Sequence, residues 1–141
     1  MAMNESDYVK VYVASIGGSG EKGERLRDAT LSDAERQFSM WTHLSIPIGV
    51  LLPMSFAWLV APLVLWLLRK DASPFNDDHG RQAINFILSF FVLHLLTALT
   101  IIGVLLWPVI WIVSIVSLIR ASVAAHHGEY FRYPLTMRFL G

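Results

Sequence analysis

Apolar and polar positions are distributed along this chain in long blocks rather than in short alternations. Residues 37–68 and 82–119 contain no Asp, Glu, Lys or Arg, giving uncharged runs of 32 and 38 residues. At the rise of an α-helix the longer run would extend about 57 Å, nearly twice the ~30 Å hydrocarbon core of a bilayer. It predicts a hairpin that crosses, turns within the uncharged "GVLLWP" at Gly103 and Pro108, and returns. The shorter run, about 48 Å by the same rise, accommodates either two crossings of only ~16 residues each or a re-entrant hairpin. Its break is expected at Pro53 in "LLPMSF". The fold class that follows is an all-α integral membrane protein with four transmembrane helices, the first two short or re-entrant, and extended segments at both termini on one side of the membrane.

Local signals set the joints. Ser32-Asp33-Ala34-Glu35 is a capping box, so a helix should start at about Asp33. In the middle loop Pro74 stops what precedes it, and Asn76, Asp77 and Asp78 offer a cap and the negative charge a helix amino terminus favours. The third helix is therefore expected near Asp77. Residues 17–30 form a glycine-rich polar linker, and before it Val9, Val11 and Val13 alternate with Tyr8, Lys10 and Tyr12 with the period of a strand. The other end repeats that period: Phe131, Tyr133, Leu135, Met137 and Phe139 share one parity, and Arg132, Pro134, Thr136 and Arg138 the other. Three regions result: a polar, strand-like segment and linker over 1–32, a helical membrane domain over 33–128, and an extended tail over 129–141. The tail is expected to lie along the membrane surface with its apolar side down and its arginines toward phosphates or an acidic partner. Pairing with Val9 to Val13 is the weaker alternative, and Pro134 would hold any strand there at an edge.

Charge gives this architecture a direction. The 11 Lys+Arg and 11 Asp+Glu cancel, which removes any overall bias toward nucleic acid. Every basic residue falls on the side of the two termini and the middle loop, so the positive-inside rule makes that side cytoplasmic, in the inner membrane of a bacterium, with both termini inside. Residues 1–33 lack the apolar core of a signal peptide, and the first helix is expected to act as an uncleaved anchor. With 55% hydrophobic residues, the chain is expected to bury surface against lipid as well as against itself. It has no cysteine, hence no disulfide and no thiolate chemistry.

Within the third helix Gln82, Asn85, Ser89, Thr97 and Thr100 fall in a stripe about 120° wide, which must face protein or a polar cavity because lipid cannot satisfy an amide. Ser114, Ser117, Ala121 and Ala125 make a narrow face of small residues on the fourth helix. The simplest expectation is that these two faces pack on each other, and the alternative is a polar conduit. His43, Ser89 and His94 are the polar groups placed inside uncharged segments, where an ionisable side chain is a functional candidate by default. His94 is the best placed for proton or substrate contact.

The stretches "RQFSMWTHLS", "APLVLWLLRKDASPFNDDHGRQAINF" and "HHGEYFRYPLTMRF" add a resemblance. Its specific pieces are Ser73, Pro74, Phe75, Asp78, His79, Gly80, Ala83, Asn85 and Phe86, then Gly128, Glu129, Tyr130, Tyr133, Pro134, Leu135 and Phe139. Over roughly Glu35 to Leu140 the chain resembles a domain-of-unknown-function family of small bacterial membrane proteins, itself similar to the Tic-twenty-like proteins of the chloroplast inner-envelope protein translocon. The resemblance implies four helical membrane segments and a role in or beside protein translocation.

The remaining chemistry lies at the cytoplasmic interface. Asp77, Asp78, His79, His126, His127 and Glu129 are legitimate ligands for a divalent ion, but neither an HExxH nor an i,i+4 histidine pair on one helix is present. No metal, cofactor or enzymatic activity is expected. Asp78, His79, Gly80, Asn85, His126, Glu129, Tyr130, Arg132, Tyr133, Pro134 and Arg138 are expected to be partner or interface contacts. The function class is a non-enzymatic accessory or assembly subunit, either homo-oligomeric or part of a larger membrane complex. The alternative is an oligomeric conduit for polypeptide, ion or small solute.

Overall fold

The computed structural model describes residues 27–52, 56–134 and 136–140, and within them the chain is helical, with no strand. The period-two pattern of Val9 to Val13 lies outside the described residues. The helices are α1 (Asp33–Leu51), α2 (Ala57–Arg69), α3 (Pro74–Ala98), the short α4 (Ile101–Leu105) and α5 (Trp107–His126).

Each boundary has a local cause. Ser32 and Glu35 form both halves of the capping box at the start of α1. α3 starts three residues earlier than the acidic cluster suggested, because extended Ser73 is its N-cap and Pro74 occupies the first turn, where the missing N–H costs nothing. At the end of α5, Gly128 takes φ +73°. Its N–H reaches the Ala125 carbonyl and that of Glu129 the Ala124 carbonyl, a Schellman closure that turns the chain back toward the helices.

Two helices, α3 with 25 residues and α5 with 20, are long and apolar enough to cross a membrane. Their outer surfaces, among them Phe91, Leu95, Ile112, Val116 and Ile119, are exposed large hydrophobics, as lipid-facing positions require. α1 and α2 are shorter, at 19 and 13 residues, and α2 at about 20 Å falls well under a hydrocarbon core. They pack as a close pair: a Cβ at Gly49 would overlap the backbone of Trp58.

The register of α1 on α3 is fixed by two buried polar pairs. Ser39 meets Asn76 and His43 meets His79. Position 11 of α1 therefore lies beside position 6 of α3, and the end of α1 at Leu51 comes level with about Ile87. Some ten residues of α3, about 15 Å, continue past it.

The expected packing of the polar stripe of α3 against the small face of α5 is not what forms. The chief neighbour of α5 is α1, and Ser114, Ser117, Ala121 and Ala125 are buried in the bundle. Asn85 and Ser89 of the α3 stripe bond the carboxy-terminal tail instead, while Thr97 accepts from Trp107 and Thr100 caps α4. The physical reason is valence: serines and alanines offer no partners for amides, whereas an extended backbone does.

Candidate functional site

The tail does not lie flat at a surface. After Gly128 it runs back over the first half of α3, and Tyr130, Phe131 and Tyr133 are buried among the helices. Phe131 and Tyr133 keep the parity read from the sequence, but Met137 and Phe139 beyond them are exposed. In place of a strand there is a single antiparallel bridge between Arg27 and Glu129 among the described residues.

At its centre is a chain of hydrogen bonds among groups far apart in sequence. The Tyr133 hydroxyl is 2.8 Å from His43 Nδ1, His43 Nε2 is 2.8 Å from His79 Nδ1, and His79 Nε2 is 3.1 Å from the Glu129 carbonyl oxygen. Both imidazoles are fully buried. The direction of this chain follows from its last member. A carbonyl only accepts, so His79 carries its proton on Nε2 and accepts on Nδ1; His43 then donates from Nε2 and accepts at Nδ1 from the phenol. An added proton would put an unpaired charge in the interior, so both rings stay neutral. Burial pushes the Tyr133 phenol well above its ordinary range, which keeps it a donor. The chain ends on an atom that cannot pass a proton onward, so it joins α1, α3 and the tail without serving as a relay.

Aromatic packing surrounds it. Phe75 lies 4.4 Å from His79 and 5.1 Å from Tyr130 between ring centres, and Phe86 stacks on Tyr133 at 4.5 Å. Outside this layer, Arg132 makes a two-pronged ion pair with Asp78, at 2.6 and 2.8 Å. Arg132 was expected to face phosphates or an acidic partner; in the folded chain its carboxylate is internal. Further along, Asn85 accepts from the N–H groups of Phe139 and Leu140 and donates to the Leu140 carbonyl, while the Ser89 hydroxyl accepts from the N–H of Met137. Gly80 serves α2: a Cβ there would overlap the Trp66 ring, whose Nε1 donates to Asp77 at 2.8 Å.

The other candidates stand apart. His94 donates from Nδ1 to the Phe90 carbonyl and sits among Phe90, Trp107 and Trp111, toward the opposite end of α3. Its Nε2 is buried without a hydrogen bond. His126 is exposed, and the stretch from His126 to Glu129 meets His79 through the backbone carbonyl of Glu129. Pro134 and Arg138 are exposed. Among the described residues no three His, Asp or Glu side chains converge to hold a metal ion. Ser39 and Asn76 belong to the same seam as His43 and His79. Their spacing of four on α1 and three on α3, one face of each helix, was the available signal for that pairing.

This arrangement holds the tail to the helix bundle. The pattern of the magnetosome magnetite crystal formation protein family matches residues 34–140. The chain belongs to that family. No curated protein and no solved structure matches it. The likeness to Tic-twenty-like proteins is thereby overturned, and the expected link to protein translocation with it, since the magnetosome family accounts for the same stretch. The motif residues explain the false lead: Ser73, Pro74, Asp78, His79, Gly80, Asn85 and Tyr133 start a helix, seat a tryptophan and fasten the tail. They encode a fold, and a fold does not carry an activity with it. The family and the two apolar helices together make this a small membrane protein associated with magnetosomes.

Proposed function

We propose that the chain is a non-enzymatic membrane subunit of magnetite crystal formation, acting through its charged end on other components of the magnetosome membrane. The observation that carries this reading is the Tyr133–His43–His79–Glu129 chain: its titratable groups are buried, matched donor to acceptor, and terminated on a backbone carbonyl. The residues best equipped for chemistry are spent on structure.

In this reading α3 and α5 cross the bilayer, and α1 with α2 forms a re-entrant hairpin, supported by the shortness of α2 and by the register that leaves α1 about 15 Å short of the end of α3. The charged end, with both termini, is cytoplasmic. The end formed by Thr97 to Trp107 carries no charge and offers no carboxylate to iron or to a mineral face. Control of the crystal therefore passes through protein contacts, with further copies of this chain or with other subunits.

Replacing exposed Lys70 and Arg138 by Glu in a magnetite-forming cell tests this. The expected result is crystals resembling those of a strain lacking the protein, with the variant still present in the membrane at its usual level. Crystals of normal size and shape would show that the charged end is not the working surface.

A further inference from the structure

A second polar site lies beside the tail clip and has no part in it. It is a cavity of about 380 Å³ at the charged end, lined by Arg27, Asp33, Arg36, Gln37, His126 and His127. It sits where the first turn of α1 meets the last turn of α5.

We infer that this cavity binds a phosphate group, carried by a lipid headgroup or as free phosphate. Two guanidinium groups face one carboxylate, Asp33, which is 90% exposed and approaches Arg36 only to 3.9 Å. The Arg36 side chain is otherwise underused. One terminal nitrogen donates to the Leu31 carbonyl at 3.0 Å, while the buried Nε–H has no acceptor. A guanidinium presents five donors in a fixed fork, and the oxygens of a phosphate match that fork.

Two further side chains fit the same ligand. Gln37 adds an amide donor, and His127, whose Nδ1 donates to the Val123 carbonyl, donates from Nε2 to a phosphate oxygen in its imidazolium form. A cation is the poorer occupant, because two arginines would repel it and no three-ligand metal cluster forms among the described residues. The cavity is held open by the backbone around it. Gly128 at φ +73° approaches the Arg36 guanidinium so closely that a Cβ would press on Nε, and its carbonyl accepts from the Asp28 N–H at 2.8 Å. The height of the site fits a headgroup: it lies where charged residues give way to the uncharged faces of α1 and α5.

The experiment uses the full chain in two preparations. Native mass spectrometry of protein released from nanodiscs of phosphatidylcholine mixed with phosphatidylglycerol reads retained anionic lipid; calorimetric titration of lipid-free protein in detergent with inorganic phosphate reads the free ion. Retention of phosphatidylglycerol alone assigns a headgroup, and phosphate binding that displaces the lipid assigns the group itself. In either case Arg27→Gln should weaken binding roughly tenfold, Arg27→Gln with Arg36→Gln should abolish it, and added salt should weaken the wild type. Should the double variant unfold, Arg27→Gln with His127→Gln replaces it, since these side chains lie outside the helix packing. Absence of binding in both preparations, or binding that ignores the arginine substitutions, overturns the assignment. Neither result bears on whether the charged end contacts other magnetosome proteins.

Discussion

Tyr133 does two things at once: it fills space against Phe86 and Phe131, and it donates to His43 Nδ1, the role left to it once the Glu129 carbonyl has set the proton positions on His79 and His43. Tyr133→Phe keeps the ring and removes the donor, so His43 Nδ1 becomes a buried acceptor without a partner. The expected loss is about 1–3 kcal/mol, read as a lowered midpoint of thermal unfolding in detergent. The same residue sets an alkaline limit. An unfolded phenol loses its proton near pH 10, whereas the buried one retains it, so above that pH the folded state holds more protons and stability falls as pH rises. Its contribution is intact below pH 10 and declines above it by up to about 1.4 kcal/mol per pH unit, a slope that Tyr133→Phe should flatten. An unchanged alkaline slope in the variant would place the titrating group elsewhere. His43, His79 and Tyr133 each stood out in the sequence as candidates. Their union did not, because a period of two says which residues share a side and nothing of what lies against that side.

The elements show why the polar stripe of α3 was legible as a stripe and misread as to its partner. Helical periodicity placed Gln82, Asn85 and Ser89 on one face, and the need to satisfy amides away from lipid required a protein neighbour. For Asn85 and Ser89 the neighbour is the tail, whose extended backbone has N–H and C=O groups of its own to satisfy, a need that side-chain patterns do not display. Asn85→Leu should therefore release the end of the tail: two N–H groups and one carbonyl lose their partners, and protease cleavage after Arg138 should accelerate while the helical content stays constant. Slow cleavage in that variant would mean that the aromatic layer alone holds the tail. Gly80→Ala tests the α2 to α3 contact, where a methyl group must displace Trp66 from its bond to Asp77, at a cost of about 1–3 kcal/mol. The acidic cluster points three residues past the start of α3, because Pro74, whose fixed φ suits a first helical turn, is the stronger start signal.

For the molecule as a whole, the uncharged blocks gave the helical class and the one-sided distribution of charge, but block length alone left the first block ambiguous. The register of Ser39 on Asn76 and His43 on His79 bears on it, and it is invisible without the packed structure. Because the chain has no cysteine, single cysteines at Leu52 and Val104 can be labelled without background. A membrane-impermeant thiol reagent applied from the side opposite the termini should reach Val104 and spare Leu52; labelling at both would restore four crossings. The central claim, that this magnetosome family member works without chemistry of its own, is tested most directly in cells. A strain lacking the protein is complemented with wild type or with Tyr133→Phe, and crystal dimensions are measured by electron microscopy at matched protein levels. Crystals of wild-type size and shape with Tyr133→Phe are the predicted result. Crystals like those of the deletion strain, from a variant folded and present in the membrane, would mean that the histidine and tyrosine chain acts on more than the fold.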